Sequence, residues 1–355
     1  MAKLRVDLKL GHSQGRGVGY YANNLARALE ETGEAVITDK DPDLVHYPFF
    51  DLFYSTLPLF KQKPTIVTIH DLTPLVLKNF YPQGIRAKVN LLRQRLSLTN
   101  VSAIITDSEN SRSDIRRYFG IPKEKINAIP LAADPIYARK PFAAYINQVR
   151  KKYNLPKDFV LYVGGINANK NLLRLAEACT DLDTSLVLVG SEFTKVPKET
   201  FSFKKVLGIQ KVHPELESYR QLKEYVNSHE KIKVLGFIES KELSAIYRLA
   251  TSYCQPSLYE GFGLPLLEAM TAGCLIVSSN TSSLPEIYPE GTITFNPNKV
   301  DSIKEALNKA LNLKVADLRK LISFQNKEAA EFSWQKTATL TLTVYKRVIS
   351  KSKAT

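Results

Sequence analysis

Short apolar runs alternate with segments of helical spacing along this chain, and the alternation starts afresh in its second half. Leu4–Leu10 reads as a strand, Gly11–Gly19 as a glycine-rich turn, and Tyr20–Glu31 as a helix carrying Leu25, Ala28 and Leu29 on one face. Leu44–Tyr47, Thr65–Ile69 and Ala103–Thr106 are strands. Ile85–Leu98 is a basic amphipathic helix, and Asn110–Phe119 is a helix stopped by Gly120 and Pro122. Pro130–Asn154, with several prolines, mixed charge and weak periodicity, is where a domain linker is expected. The second half gives strands at Phe159–Val163, Ser185–Val189, Lys231–Leu235, Tyr253–Gln255 and Leu275–Ser278. Its helices fall at Asn171–Cys179, Glu242–Leu249, Val300–Leu311, Leu318–Glu331 and from Trp334 to Ser350, with Trp334 as an apolar anchor. Glu192–His213 reads as an irregular, lysine-rich insertion. This alternation predicts an α/β class with parallel sheets, whose ligands bind beyond the carboxyl ends of the strands.

At 355 residues the chain is long enough for two domains. Hydrophobic residues at 44% and charged residues at 24% are ordinary for a soluble globular chain. No apolar run is long enough to span a bilayer. Met1–Leu10 alternates charged and apolar residues as a strand does, and lacks the apolar core of a signal peptide. Cys179, Cys254 and Cys274 sit in apolar segments without metal-like or redox-like spacing, which fits buried thiols in a reducing cytoplasm. The net charge of +14 adds something the pattern does not. It suits a polyanionic partner: nucleic acid, anionic lipid headgroups or a phosphorylated substrate. A solvated lysine-rich surface would give the same number. A nucleic-acid-binding protein is the reading from another class, but basic motifs interleaved with aromatics are lacking, and no specific nucleic acid is expected.

Candidate chemistry is densest in Ser257-Leu-Tyr-Glu-Gly-Phe-Gly-Leu-Pro-Leu-Leu-Glu268. Glu260 should lie in a loop and Glu268 one turn into the following helix, because Pro265 suits a helix's first turn. Gly261 and Gly263 leave backbone uncovered between them, and a helix N-terminus suits a phosphate. Carboxylates accept hydrogen bonds from sugar and ribose hydroxyls. His70 and Asp71 end the buried strand at Thr65–Ile69. Asp107 and Ser108 follow Ala103–Thr106, where capping of the next helix explains them equally well. Lys170, beside two glycines and before a helix, could neutralise a diphosphate. No metal is expected.

The Glu260–Glu268 segment resembles the signature of the retaining glycosyltransferases of family 4. So do, in order, the glycine-rich loop before Asn23-Asn24-Leu25, His70-Asp71, Gly164-Gly165…Lys170-Asn171, Leu235-Gly236-Phe237 and Ser282-Ser-Leu-Pro-Glu286. The resemblance implies the GT-B fold: two Rossmann-like domains facing a cleft, at residues 1–145 and 146–333, with a last helix, 334–355, crossing back to the first domain. It implies a retaining hexosyltransferase with Glu260, His70 and Lys170 catalytic. Donor contacts would come from Glu268 on the ribose and from Gly17, Gly19, Gly165, Phe237, Gly261, Phe262, Gly263 and Leu264. From their own positions, Asp71 and Asp107 are read on the acceptor side, and Glu286, which follows a proline where a carboxylate favours a helix N-terminus, is read as structural. The donor expected is a nucleotide-sugar, GDP-mannose ahead of UDP-glucose; a GT-B epimerase or phosphorylase is a more distant alternative. The acceptor is a glycan or lipid-linked glycan, often at a membrane. Arg86, Lys88, Arg93 and Arg95, with Arg112, Arg116 and Arg117, would suit peripheral docking on an anionic cytoplasmic leaflet. One departure stands out. An arginine that family members carry at the position of Gly165 or Asn169 is missing, leaving Arg16 or Arg174 as substitutes.

Overall fold

A computed structural model describes residues 3–9, 17–194 and 214–354. The insertion at Glu192–His213 therefore lies almost wholly outside the described residues, as do Gly11–Arg16 of the first glycine turn. The chain divides into two compact units. The first takes in residues up to Val76, Gln83–Ala132 and Phe332 onward; the second takes in Leu77–Pro82 and Ala133–Glu331. Among the described residues each unit carries one six-stranded sheet, parallel throughout.

In the first unit the strands are β1 (Leu4–Leu8), β2 (Ala35–Ile37), β3 (Leu44–Tyr47), β4 (Thr65–Thr68), β5 (Ala103–Thr106) and β6 (Ile126–Ala128), ordered β2-β1-β3-β4-β5-β6. All four residues of β4 and of β5 are buried, as expected of central parallel strands covered on both faces. Ile66 pairs with Ala103 and Thr68 with Ile105, which brings the carboxyl ends of these two strands side by side. One face is closed by the Val18–Glu31 helix together with the C-terminal helix Trp334–Ala354, which pack on each other. Trp334 is buried there, edge-on to Tyr20 with ring centroids 5.9 Å apart.

The second unit holds β7 (Val160–Val163), β8 (Leu186–Val189), β9 (Ile232–Leu235), β10 (Ser252–Gln255), β11 (Ile276–Ser279) and β12 (Ile293–Phe295), ordered β12-β11-β10-β7-β8-β9. The chain runs outward from β7 through β8 and β9, then returns to the other side of β7 and runs outward again. This is the Rossmann order, and its crevice opens where the direction reverses, between β7 and β10. Cys179 and Cys254 are buried in the core of this unit. The stretch Pro130–Asn154 is more ordered than its sequence predicts. Ala143–Lys152 is a helix packed on the Ser240–Leu249 helix, but of its residues only Val149 is fully buried, so its apolar stripe is faint.

Candidate functional site

At the β7–β10 crevice the loop after β7 and the loop after β10 are tied into one body by asparagines. Asn169 is buried. Its side chain donates to Tyr259 O at 2.9 Å and accepts from Tyr81 OH at 3.0 Å, while its carbonyl accepts from Leu258 N at 2.8 Å. Asn171, at φ 58°, donates to Pro256 O at 3.0 Å and Pro297 O at 2.8 Å, so one amide joins the loops after β10 and β12. Asn169 therefore stands where an arginine was expected because it works as a brace between loops. Arg174 donates to Asn171 Oδ1 at 2.7 Å. Arg16 lies outside the described residues. The loops after β7 and β8 also meet closely: a Cβ on Gly190 would fall 2.1 Å from Gly164 O, so only glycine fits there.

This brace sets Lys170 opposite Glu260. The ammonium lies 2.8 Å from both carboxylate oxygens, in a contact that is largely buried. Glu260 Oε1 also accepts from Gln255 Nε2 at 2.7 Å and Ser257 Oγ at 2.6 Å. Gln255 is oriented in turn by the Tyr253 hydroxyl, which donates to its Oε1. Tyr253, Gln255 and Ser257 are all buried and occupy alternate positions along one side of β10 and its extension. Sequence reasoning passed over these three. The signal was available as polar groups recurring at every second position of an otherwise apolar strand. Ser282 Oγ accepts from Glu260 N at 2.9 Å, and Ser283 Oγ donates to Glu260 O and Phe262 O at 2.9 and 2.8 Å, so the loop bearing the carboxylate is fixed from behind.

Beyond Phe262 the chain turns at Gly263, φ 119°, into the Leu264–Ala272 helix with Pro265 in its first turn. A Cβ at Gly263 would meet Leu284 Cδ2 at 2.6 Å, so the turn needs glycine on both counts. Glu268, buried in the next turn, accepts from Tyr247 OH at 3.1 Å. Phe237 follows β9 and is exposed, and Gly165 accepts from Tyr162 OH at 2.8 Å.

In the first unit, His70 and Asp107 come together at the adjacent ends of β4 and β5. His70 Nδ1 is 2.7 Å from Asp107 Oδ2, and Nε2 is 3.1 Å from Pro48 O. A carbonyl only accepts, so Nε2 must carry a proton, and a second proton must lie in the Nδ1–Oδ2 bond. The imidazole is the stronger base, so we read the pair as imidazolium and carboxylate. Burial alone would disfavour the imidazolium; the Asp107 carboxylate more than offsets it and holds the His70 pKa above its ordinary value. Among the described residues, Asp107 Oδ1 is buried with no hydrogen-bond partner. Ser108 caps the Glu109–Phe119 helix by accepting from Ser111 N, which separates the capping duty from Asp107. Asp71 Oδ1 accepts from Thr73 N at 2.8 Å and so fixes its own turn. Gly17 precedes the Val18–Glu31 helix, with Gly19 buried in its first turn.

Behind His70 lies a second histidine in the opposite state. His46 Nδ1 is 2.6 Å from Tyr345 OH and Nε2 is 2.8 Å from Thr68 Oγ1, which also meets Tyr21 OH at 3.0 Å. Both partners are hydroxyls, which satisfy a neutral ring. Burial, helped by the charge on His70, pushes the His46 pKa down to about 3.

Known proteins resemble this chain in sequence and fold. The family model "Glycosyl transferases group 1" matches residues 146–328, and "Glycosyltransferase Family 4" matches residues 20–136. The serotype-specific mannosyltransferase WbdA of Escherichia coli is 29% identical over 338 residues, which are 92% of this chain and 40% of that protein. The O-antigen chain mannosyltransferase B of E. coli is 29% identical over 296 residues, 79% of this chain and 70% of that protein. This chain thus spans about two fifths of the length of WbdA. Among solved structures, sucrose-phosphate synthase from Thermosynechococcus elongatus superposes with a TM-score of 0.72 at 19% identity, covering 98% of this chain and 100% of that one. The fold is GT-B, and the chain belongs to the glycosyl transferases group 1 family.

Proposed function

We propose that this protein transfers mannose from GDP-mannose to a hydroxyl of a glycan or lipid-linked glycan, with retention of the anomeric configuration. The observation that carries the reading is the Lys170–Glu260 pair at the β7–β10 reversal, where a Rossmann-like sheet binds its ligand. The names of WbdA and the O-antigen chain mannosyltransferase B favour mannose. In this scheme the bond between the sugar's C1 and the β-phosphate oxygen breaks, and the acceptor oxygen bonds to C1 on the same face. The acceptor's proton passes to the departing phosphate, leaving GDP and a mannoside. Negative charge grows on the diphosphate, and Lys170 with the turn at Gly261–Leu264 stabilises it in place. Glu260 holds donor hydroxyls and faces the positive charge developing at the sugar. Glu268 takes the ribose hydroxyls, and His70 contacts the donor sugar. Gly17, Gly19, Gly165 and Phe237 border the donor, and Asp71 and Asp107 the acceptor.

Among the described residues no helix is long and apolar enough to cross a membrane. We place the protein peripherally at an anionic membrane surface, held by the basic helices Ile85–Leu98 and Glu109–Phe119 of the first unit. The test of the donor is a thermal-shift panel of nucleoside diphosphates and their sugars. GDP and GDP-mannose should raise the melting temperature, and a selective response to UDP or UDP-glucose overturns the mannose assignment. Glu260→Gln should lower the transfer rate at least 100-fold, by about 3 kcal/mol in the barrier. Full transfer activity in that variant would remove Glu260 from the reaction.

A further inference from the structure

The Ile85–Leu98 helix has two faces with apolar residues, and only one is covered. At about 100° per residue, Ala87, Leu91, Gln94 and Leu98 fall on one side. Gln94 and Leu98 are buried, and Leu91 packs on the core around Val67 and Ile104. Ile85, Val89, Leu92 and Leu96 fall within about 60° of one another on the opposite side. They are 85%, 61%, 60% and 56% exposed. Cations border this stripe on both flanks. Arg86 and Arg93 lie about 80° to one side of its middle, and Lys88 and Arg95 about 80° to the other. No Asp or Glu occurs between Asp71 and Asp107. The neighbouring loop is held to the same helix by Asn90 Nδ2 on Phe53 O and Gln94 Nε2 on Tyr54 O, both at 2.7 Å, and it presents Tyr54 and Phe60, 69% and 89% exposed.

We propose that this helix lies flat in the headgroup layer of an anionic bilayer. Ile85, Val89, Leu92 and Leu96 insert at the top of the acyl chains, and Arg86, Lys88, Arg93 and Arg95 reach lipid phosphates on either side. The proposal rests on the membrane reading above and names the residues that perform it. An apolar stripe with cations along both edges matches the two layers such a helix meets, hydrocarbon below and phosphate beside. A second copy of the chain fits less well, because a symmetric contact would set four cations against four with no acid in the segment. A nucleic acid would use the cations but leave the four aliphatic side chains in water.

The experiment is co-sedimentation with vesicles of phosphatidylcholine alone and of phosphatidylcholine with about one third phosphatidylglycerol, near physiological salt. The full chain should bind the anionic vesicles and leave the neutral ones largely unbound. Val89→Ser/Leu92→Ser and Arg86→Gln/Arg93→Gln should each weaken binding at least tenfold, with unchanged melting temperature and GDP response, since all four positions lie off the core-facing side. Wild-type binding by Val89→Ser/Leu92→Ser overturns the insertion. A wild-type dimer that Val89→Ser/Leu92→Ser dissociates assigns the stripe to a second copy and also overturns it. A GDP response without any vesicle binding removes this proposal and leaves the transferase reading intact. Vesicle binding without a nucleotide response supports the docking face while the transferase reading fails.

Discussion

The two side-chain pairs at strand ends are built in opposite senses. At β7–β10 a carboxylate is ringed by donors: Lys170, Gln255 and Ser257 all converge on Glu260. At β4–β5 a histidine is ringed by acceptors: Asp107 on one ring nitrogen and Pro48 O on the other, with Asp107 Oδ1 left over. The same fold element, a parallel strand's carboxyl end, thus carries an anion held by donors in one unit and a cation held by acceptors in the other. The protein sets the sign of each centre by what it buries beside it. In the second unit that is a Tyr253–Gln255 relay, and in the first a single aspartate.

The largest effect that would break this contrast comes from Lys170→Ala. It removes the cation that Glu260 meets among the described residues and leaves Gln255 and Ser257 as the carboxylate's donors. Transfer should fall about 100- to 1,000-fold, roughly 3–4 kcal/mol, if the lysine also meets the departing diphosphate. Gln255→Leu sharpens the point. It leaves the Lys170–Glu260 contact in place but removes the relay, so a smaller loss confined to turnover would mark Gln255 as a positioning residue. A Lys170→Ala enzyme as fast as wild type would reduce the pair to a structural ion pair.

Next in size is the acid limb of stability, which separates the two histidines of the first unit. His46 has its folded pKa pushed down to about 3 from an ordinary 6.5, so between these values the unfolded chain binds a proton that the folded protein does not. Its contribution is complete above the unfolded pKa and is lost as the pH falls. Unfolding in urea should show a loss on the order of 3 kcal/mol between about pH 6.5 and 4 from this residue. His46→Gln should flatten that part of the curve, at some cost in stability at neutral pH. An unchanged slope in His46→Gln would mean that the neutral ring between Tyr345 and Thr68 is not what acid attacks.

Much of this was legible in the chain. β4, β5, β7, β8 and β10 are short, fully buried runs, and their apolar residues announced them. Gly263 and Pro265 announced the turn into the helix bearing Glu268, because a left-handed φ and a first-turn proline leave few other residues possible. What escaped has physical reasons. β2, β6 and β12 are three-residue edge strands, too short for a periodic signal. The Pro214–Asn227 helix fully buries only Leu222, so its pattern is polar nearly all round. The partnerships were less readable still. Lys170 and Glu260 are 90 positions apart, and His70 and Asp107 are 37 apart. Composition can place each residue at a strand end, but strand order decides which ends become neighbours.

The smallest expected effect tests whether Asp107 alone sets the sign of the His70 centre. Asp107→Asn keeps an acceptor within reach of Nδ1 but removes the charge. Burial, which opposes the imidazolium, then has nothing to offset it, and the neighbouring Asp71 is a weaker source of negative potential. The His70 ring signals in a proton NMR titration should move from a midpoint above the ordinary histidine value to one below it. A displacement of about one pH unit corresponds to roughly 1.4 kcal/mol. The accompanying stability term has the opposite sign to that of His46. With a raised pKa, the His70 contribution is complete below the unfolded value and is lost as the pH rises through the folded one, so Asp107→Asn should cost most in mild acid and least in base. If the variant titrates as wild type does, the positive centre is not Asp107's doing, and Asp71 must supply the negative potential that favours it instead.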